Sequence, residues 1–273
     1  MGQLSFVKYE GLGNDFVLIE ASDEREVPPE QAARLCDRRL GVGADGVLLL
    51  LPSRTADCAV RMRVLNADGS VPEMCGNGAR CVALHWARSR RTPGATVPID
   101  TDAGRRDCQV DDANGRGLVT VDMGVVRVLG DRTLDVGGRA VQLTAADAGN
   151  PHAVLFGDYA RAEVEQLGPR IATHPDFPRG TNVEFVRPAA PAAGLECVVW
   201  ERGVGLTLAC GTGACAAAAA ACARGLAAHG APIAVRLPGG LLEITVDAAG
   251  RTTMRGPARP VFSGQVAVNP PRA

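Results

Sequence analysis

The stretch Met-Cys-Gly-Asn-Gly-Ala-Arg at residues 74–80 recurs as Ala-Cys-Gly-Thr-Gly-Ala-Cys at residues 209–215, about half a chain later. Each copy follows a strand-like stretch and a polar turn, and each leads into an apolar stretch with helical features. Such a repeat predicts two similar halves, each with a cysteine, Cys75 or Cys210, directly before a helix. Two equivalent cysteines would then lie symmetrically about a cleft.

A cysteine at the first turn of a helix has distinctive chemistry. The unpaired backbone N–H groups and the partial positive charge there stabilise a thiolate, so we expect a lowered thiol pKa. The same N–H groups bind carboxylates. Two such thiols on opposite faces of a bound amino acid would remove the α-proton from one side and return a proton from the other, which inverts the carbon. The N–H donors would hold the developing charge, and the reaction requires no metal and no organic cofactor.

The rest of the chain is predicted to be short strands separated by glycine turns, with four helices. Helical features cover residues 28–40, 76–90, 159–174 and 211–224. Strand-like stretches cover residues 5–10, 15–20, 59–65, 117–122, 152–156, 182–186, 195–201 and 241–246. Because strands and helices do not alternate regularly, the pattern predicts an α+β fold and not a doubly wound parallel sheet.

Composition limits the partners of the chain. A net charge of -1 and a pI near 6.4 give no electrostatic reason to expect nucleic acid or an anionic membrane. We therefore expect a small-molecule ligand. The longest apolar run is too short to span a bilayer, and the N-terminal residues lack the features of a secretory signal. An odd count of nine cysteines indicates reduced thiols, so we expect a cytoplasmic protein.

Lysine is nearly absent, since Lys8 is the single lysine among 29 basic residues. Pyridoxal phosphate needs a lysine for its Schiff base, and Lys8 lies in a predicted strand. This disfavours that cofactor. Residues 41–46 match the spacing of a dinucleotide fingerprint but follow a helix and precede a strand, which is the wrong context. Cys75 with Cys81, and Cys210 with Cys215, lack the ligand spacing of a zinc site.

Two other function classes stay open on these residues. A thiol hydrolase would use Cys75 or Cys210 with His152 and would need only one of the two cysteines. A non-catalytic amino-acid-binding module could use the same helix starts and would tolerate serine at both thiol positions.

Nine short segments, spread over nearly the whole chain, carry a family pattern. They are Gly-Leu-Gly-Asn-Asp-Phe-Val from residue 11, Gly-Val-Gly-Ala-Asp-Gly-Val from 41, Asn-Ala-Asp-Gly-Ser from 66, Met-Cys-Gly-Asn-Gly-Ala-Arg-Cys from 74, Gly-Asn-Pro-His from 149, Thr-Asn-Val-Glu-Phe from 181, Trp-Glu-Arg-Gly from 200, Ala-Cys-Gly-Thr-Gly-Ala-Cys from 209 and Leu-Pro-Gly-Gly from 237. In these segments the chain resembles the diaminopimelate epimerase family.

The resemblance implies two pseudo-symmetric domains, each a curled antiparallel sheet around a central helix. We expect one domain at residues 1–121, completed by a last strand at 258–273, and the other at residues 122–257. It also implies epimerisation of LL- and meso-diaminopimelate without pyridoxal phosphate, in lysine and peptidoglycan-precursor synthesis, by a homodimer. Racemases of proline, hydroxyproline or histidine type are the alternative within the same chemistry.

The resemblance also assigns roles to residues. Cys75 and Cys210 are implied as the acid/base thiols, and His152 and Glu201 as partners of the reacting amine. The other implied substrate-binding residues are Asn14, Asn66, Gly76, Asn77, Asn150, Asn182, Arg202, Gly211 and Thr212. Arg202 suits a bidentate bond to the distal carboxylate. Two positions depart from the family: Gly46 stands where many members carry glutamine, and Leu206 replaces a polar residue.

Overall fold

The computed structural model describes residues 3–72, 74–189 and 194–267. The chain forms two compact units. The first comprises residues 1–121 together with 257–273, and the second comprises residues 122–256. Residues 268–273 of the predicted last strand lie outside the described residues.

Four α-helices and seventeen strands lie within the described ranges. The helices are α1 (Pro29–Cys36), α2 (Gly76–Ser89), α3 (Arg161–Ala172) and α4 (Gly211–Ala223). Eight strands belong to the first unit, the seventh of them running past its boundary: β1 (Gln3–Gly11), β2 (Asn14–Glu20), β3 (Gly46–Leu51), β4 (Val60–Asn66), β5 (Thr96–Thr101), β6 (Gly104–Asp111), β7 (Leu118–Val125) and β17 (Arg259–Ala267). The others are β8 (Arg127–Asp135), β9 (Ala140–Asp147), β10 (Pro151–Phe156), β11 (Asn182–Ala189), β12 (Gly194–Glu201), β13 (Gly205–Thr207), β14 (Pro232–Leu237), β15 (Gly240–Val246) and β16 (Arg251–Pro257).

The two units repeat one strand order. The first runs β17-β1-β2-β3-β4-β5-β6-β7 and the second β8-β9-β10-β11-β12-β14-β15-β16. The parallel pairs are β2-β3 and β4-β5 in the first unit and β10-β11 and β12-β14 in the second, at the same places in the two orders. The other neighbouring pairs are antiparallel. Each parallel pair needs a crossover connection, and a helix supplies it in each case. The predicted pseudo-symmetric α+β fold is confirmed, with a sheet that is mainly antiparallel.

The second helix of each unit lies at its centre. Helix α2 contacts β1 to β6 and β17, and α4 contacts β8 to β12, β14 and β15. Helix α4 is buried from Gly211 to Cys222 and carries alanine at residues 216–221. Alanine has high helix propensity and adds little bulk, so the helix is accommodated inside a curled sheet.

The first helix of each unit packs on the outer face of the sheet. Helix α1 contributes Leu35 and Cys36 to an apolar cluster with Val17 and Leu49, and α3 packs in a second such cluster. Strand β3, Gly-Val-Leu-Leu-Leu-Leu, is buried along its whole length. It therefore has no alternating pattern, as expected of a strand covered on both faces.

The predicted helix at residues 28–40 is wrong at its end, because α1 stops at Cys36. The Asp37 carboxylate accepts hydrogen bonds from the backbone N–H groups of Arg39, at 2.7 Å, and Leu40, at 2.9 Å. An aspartate that binds the following backbone offers an alternative to continued helix. Within the described part of the chain, no helix is both long and apolar enough to cross a membrane.

Candidate active site

Cys75 is the N-cap residue of α2, as the sequence predicted. Its backbone is extended, at φ −136° and ψ 100°, and its Sγ accepts a hydrogen bond from the Gly78 N–H at 3.3 Å. The Cys75 carbonyl accepts the first intrahelical bond, from the Ala79 N–H at 2.9 Å. The N–H groups of Gly76 and Asn77 precede that bond, in the first turn, where N–H groups have no partner within the helix.

Cys210 occupies the equivalent position before α4. Its φ and ψ are −120° and 111°, and its Sγ accepts from the Gly213 N–H at 3.3 Å. Thr212 places its hydroxyl 3.5 Å from the same sulfur. Gly211 and Thr212 form the first turn of the buried helix. The two units therefore present the same thiol-capped helix start.

The expectation of a lowered thiol pKa is wrong for Cys210. Burial raises the pKa of this thiol well above its ordinary value, and the carboxylates of Glu201 and Glu184 raise it further. The Thr212 hydroxyl and the Gly213 N–H act in the opposite direction but do not compensate. Desolvation opposes any charged form, so this thiol remains protonated at neutral pH.

Asn14 and Asn77 are joined at the start of α2. Asn77 Nδ2 donates to Asn14 Oδ1 at 3.0 Å, and Asn14 Nδ2 donates to Asp45 Oδ2 at 2.8 Å. Arg38 bridges Asp45 and Asp15, with Nη2 at 2.7 Å and 2.8 Å from one carboxylate oxygen of each. The two predicted binding asparagines are thus fixed by a charged network.

Asn66 ends β4, and its side chain turns toward the loop that follows. Nδ2 donates to the Ser70 hydroxyl at 2.9 Å, and the backbone N–H donates to the Ser70 carbonyl at 2.8 Å. The Nδ2 group therefore closes the turn across four residues, as is common for asparagine in turns.

His152 lies on β10 with no exposed surface. Its Nδ1 is 2.7 Å from Glu184 Oε1, and its Nε2 is 2.9 Å from Asn150 Oδ1. Glu184, on the neighbouring strand β11, is also fully buried. His152 and Asn150, two separately predicted binding residues, are therefore held together, and Glu184 lies at the other ring nitrogen.

The Asn182 side chain binds the backbone of Arg202. Asn182 Oδ1 accepts from the Arg202 N–H at 2.8 Å, while Arg202 Nη1 donates to the Arg179 carbonyl at 2.6 Å. Glu201 accepts from the Thr207 hydroxyl at 2.6 Å. These contacts fix the end of β12 beside the strand that carries Asn182.

Two residues at these helix starts were missed by sequence reasoning, Asp45 and Glu184. Asp45 anchors Asn14, and Glu184 anchors His152. A signal for Glu184 was present, since it is the single acid within the strand-like stretch 182–186. A lone acid inside a buried strand requires a partner.

The two departures from the family pattern have physical reasons. An ideal Cβ at Gly46 would lie 2.8 Å from the Leu65 carbonyl oxygen, so no side chain fits there without backbone movement. Leu206 lies on β13 opposite Trp200, and both pack against the apolar cluster under α3. An apolar residue is therefore favoured at position 206.

Sequence comparisons find a family match over most of the chain. The family model described as diaminopimelate epimerase matches residues 6–129 and 144–261. A diaminopimelate epimerase of Desulforudis audaxviator is 46% identical over 280 residues, covering 96% of this chain and 99% of the relative. One from Thermosynechococcus vestitus is 46% identical over 286 residues, covering 96% and 98%.

Solved structures share the fold. A probable proline racemase from Agrobacterium radiobacter superposes with a TM-score of 0.79 at 21% identity, covering 98% of this chain and 94% of that one. A hydroxyproline epimerase from Agrobacterium vitis gives 0.73 at 22% identity, with coverages of 98% and 94%. Family match and near-complete coverage of the relatives together assign the sequence: this chain belongs to the diaminopimelate epimerase family.

Proposed function

We propose that this chain is an isomerase that interconverts LL- and meso-diaminopimelate, using Cys75 and Cys210 as proton acceptor and proton donor. The observation that carries the proposal is the repeated helix start, in which each cysteine caps a buried helix through a glycine N–H. The family match supports diaminopimelate as substrate.

The proposed reaction removes one proton from the substrate α-carbon and adds another to it. The thiolate of one cysteine removes the α-proton, and the thiol of the other donates a proton to the opposite face of the carbon. Cys210 suits the donor role when it is a neutral thiol, since burial favours that form. After turnover the two sulfurs have exchanged protonation states, and the reverse reaction restores them.

In this proposal the helix starts bind the reacting carboxylate. The N–H groups of the first turns, at Gly76 and Asn77 and at Gly211 and Thr212, would stabilise the charge that develops on that carboxylate. His152 and Glu201 would contact the reacting amine. The binding groups for the rest of the amino acid would be Asn14, Asn66, Asn150, Asn182 and Arg202. Arg202 would bind the distal carboxylate through its guanidinium.

A thiol hydrolase built on Cys210 and His152 is disfavoured by the histidine's contacts. Such an enzyme needs a ring nitrogen within hydrogen-bond reach of the sulfur. Within the described ranges the Cys210 sulfur contacts the Gly213 N–H and the Thr212 hydroxyl, and no hydrogen bond joins it to His152.

The test is a substrate panel followed by isotope labelling. Purified protein would be assayed for epimerisation of LL-diaminopimelate, proline, hydroxyproline, histidine and lysine, and activity is expected on diaminopimelate. In deuterium oxide, deuterium should enter the product before the unreacted substrate. Activity on proline alone would reassign the substrate, and equal early labelling of both pools would exclude the two-thiol mechanism.

We further propose that the protein is a cytoplasmic homodimer. Val261 and Phe262, on β17, are about half exposed, and an exposed apolar pair on a strand supports contact with a second copy. Sedimentation equilibrium of wild type and of Phe262→Ser would test the assembly, since a monomeric wild type would contradict it. Cell fractionation with an antibody to the chain would test the location.

A further inference from the structure

Glu184 lies directly beneath the start of α4. Strands β10 and β11 run parallel with His152 opposite Asn182, so His152 and Glu184 point to the same face of the sheet. An ideal Cβ added to Gly213 would lie 2.8 Å from Glu184 Oε1. The carboxylate therefore lies between the buried histidine and the first turn of the central helix.

Two positively polarised groups approach Oε1 of this carboxylate. Oε1 is hydrogen-bonded to His152 Nδ1 at 2.7 Å, and the N-terminus of α4 supplies a partial positive charge. A carboxylate in its ionised form only accepts hydrogen bonds, so in that form the shared proton is carried by Nδ1 of the histidine. Nε2 lies 2.9 Å from Asn150 Oδ1, and because an amide oxygen only accepts, that contact requires a proton on Nε2 as well.

The second carboxylate oxygen is unusual. Glu184 Oε2 is buried, and within the described ranges no residue gives it a hydrogen bond. Burying such a group destabilises a fold relative to a well-packed apolar side chain. A stabilising role for Glu184 therefore does not account for its presence, whereas a role in fixing His152 does.

We propose that Glu184 is a positioning residue of the reaction. Its carboxylate holds a proton on Nδ1 of His152 and so keeps the Nε2 edge of the ring directed toward Asn150 and the substrate. The inference rests on the proposed function. In that function His152 contacts the reacting amine, and the positioning effect of Glu184 is exerted through His152.

The first measurement concerns the histidine and needs no substrate. The chain has four histidines, and ¹⁵N-histidine labelling with His152→Gln as the assignment variant isolates the His152 signals. We expect Nδ1 of His152 to carry a proton in the wild type and to lose that preference in Glu184→Gln. An unprotonated Nδ1 in the wild type would overturn the proposal even if the variant failed to fold.

The second measurement is kinetic. Glu184→Gln should lower kcat at least about tenfold with a smaller change in KM, since removal of a carboxylate that fixes a catalytic histidine costs up to about 10⁴-fold in serine proteases. The double variant with His152→Gln should be no slower than His152→Gln alone, because Glu184 acts through the histidine. The proposal would be overturned if the two single-variant losses of kcat multiplied in the double variant, or if Glu184→Gln kept the wild-type kcat.

The matched control is Glu196→Gln. Glu196 lies on the adjacent strand β12, and its half-exposed carboxylate is 2.5 Å from Arg187 Nη2, away from the helix start. This variant should keep wild-type kcat and the wild-type His152 signals. A wild type that is inactive on diaminopimelate would instead contradict the proposed function. The NMR measurement would still show whether Glu184 holds the proton on His152 Nδ1.

Discussion

Glu184 and Gly213 approach so closely that residue 213 has no room for a side chain. An ideal Cβ at 213 would lie 2.8 Å from Glu184 Oε1 and 3.2 Å from the Cys210 sulfur. The glycine is therefore required by packing inside the protein, in addition to any approach of a ligand.

The first prediction follows from that contact. Gly213→Ala should lower the free energy of unfolding by about 1–3 kcal/mol, as overpacking of a buried site does, and should lower kcat because Cys210 and Glu184 must move apart. Urea unfolding and steady-state kinetics measure both effects. Gly94→Ala is the control, since a Cβ there meets nothing within 4 Å. Unchanged activity in Gly213→Ala would show that the spacing at this helix start is not needed.

The second prediction concerns the thiols. Cys75→Ala and Cys210→Ala should each reduce epimerisation by at least about 10²-fold, because each removes one acid/base group. Both variants should keep the wild-type circular dichroism spectrum. Cys58, which is half-buried and lies outside the helix starts, provides Cys58→Ala as the control. If either single variant kept full activity, the symmetric assignment would be wrong.

The third prediction concerns Asp45 as the anchor of Asn14. Asp45→Ala removes the acceptor 2.8 Å from Asn14 Nδ2, so the asparagine loses its fixed orientation. We expect KM to rise up to about tenfold, the effect of one hydrogen bond, with kcat less affected. Asp107→Ala serves as the comparison, because Asp107 forms an exposed ion pair with Arg105. A KM equal to that of the wild type would argue against a binding role for Asn14.

The fourth prediction is a pH dependence of stability. Burial alone would raise the pKa of Asp15, but hydrogen bonds from Arg38 and Lys8 and their charges hold the pKa at about 2. A lowered folded-state pKa stabilises the protein fully above the unfolded value near 4 and loses that effect as pH falls toward 2. Asp15→Asn should therefore cost about 2 kcal/mol at pH 7, and this difference should shrink between about pH 4 and pH 2.

Urea unfolding at several pH values measures this difference. Asp23→Asn is the comparison, because Asp23 pairs with Arg25 on the exposed surface and should change stability little. A cost for Asp15→Asn that does not change with pH would mean that the loss comes from the neutral contacts and not from the charge.

The repeated motif was sufficient to locate both helix starts. A glycine-rich turn before an apolar run specifies an N-cap through local backbone geometry, so Cys75 and Cys210 fall directly before α2 and α4. Strands such as β8 were missed because most of β8 is exposed and carries no apolar alternation. Its position depends on pairing with β9, which is a non-local interaction.

The sequence by itself determined the family, the two-fold repeat and the position of the two cysteines at helix starts, because these depend on residue types at fixed short spacings. The tertiary structure alone decided how each thiol is surrounded. It placed Glu184 behind His152 and buried Cys210 beside two carboxylates, which raises a pKa that the helix start alone would lower. Desolvation and charge depend on residues distant in the chain, and only the folded sheet brings them together.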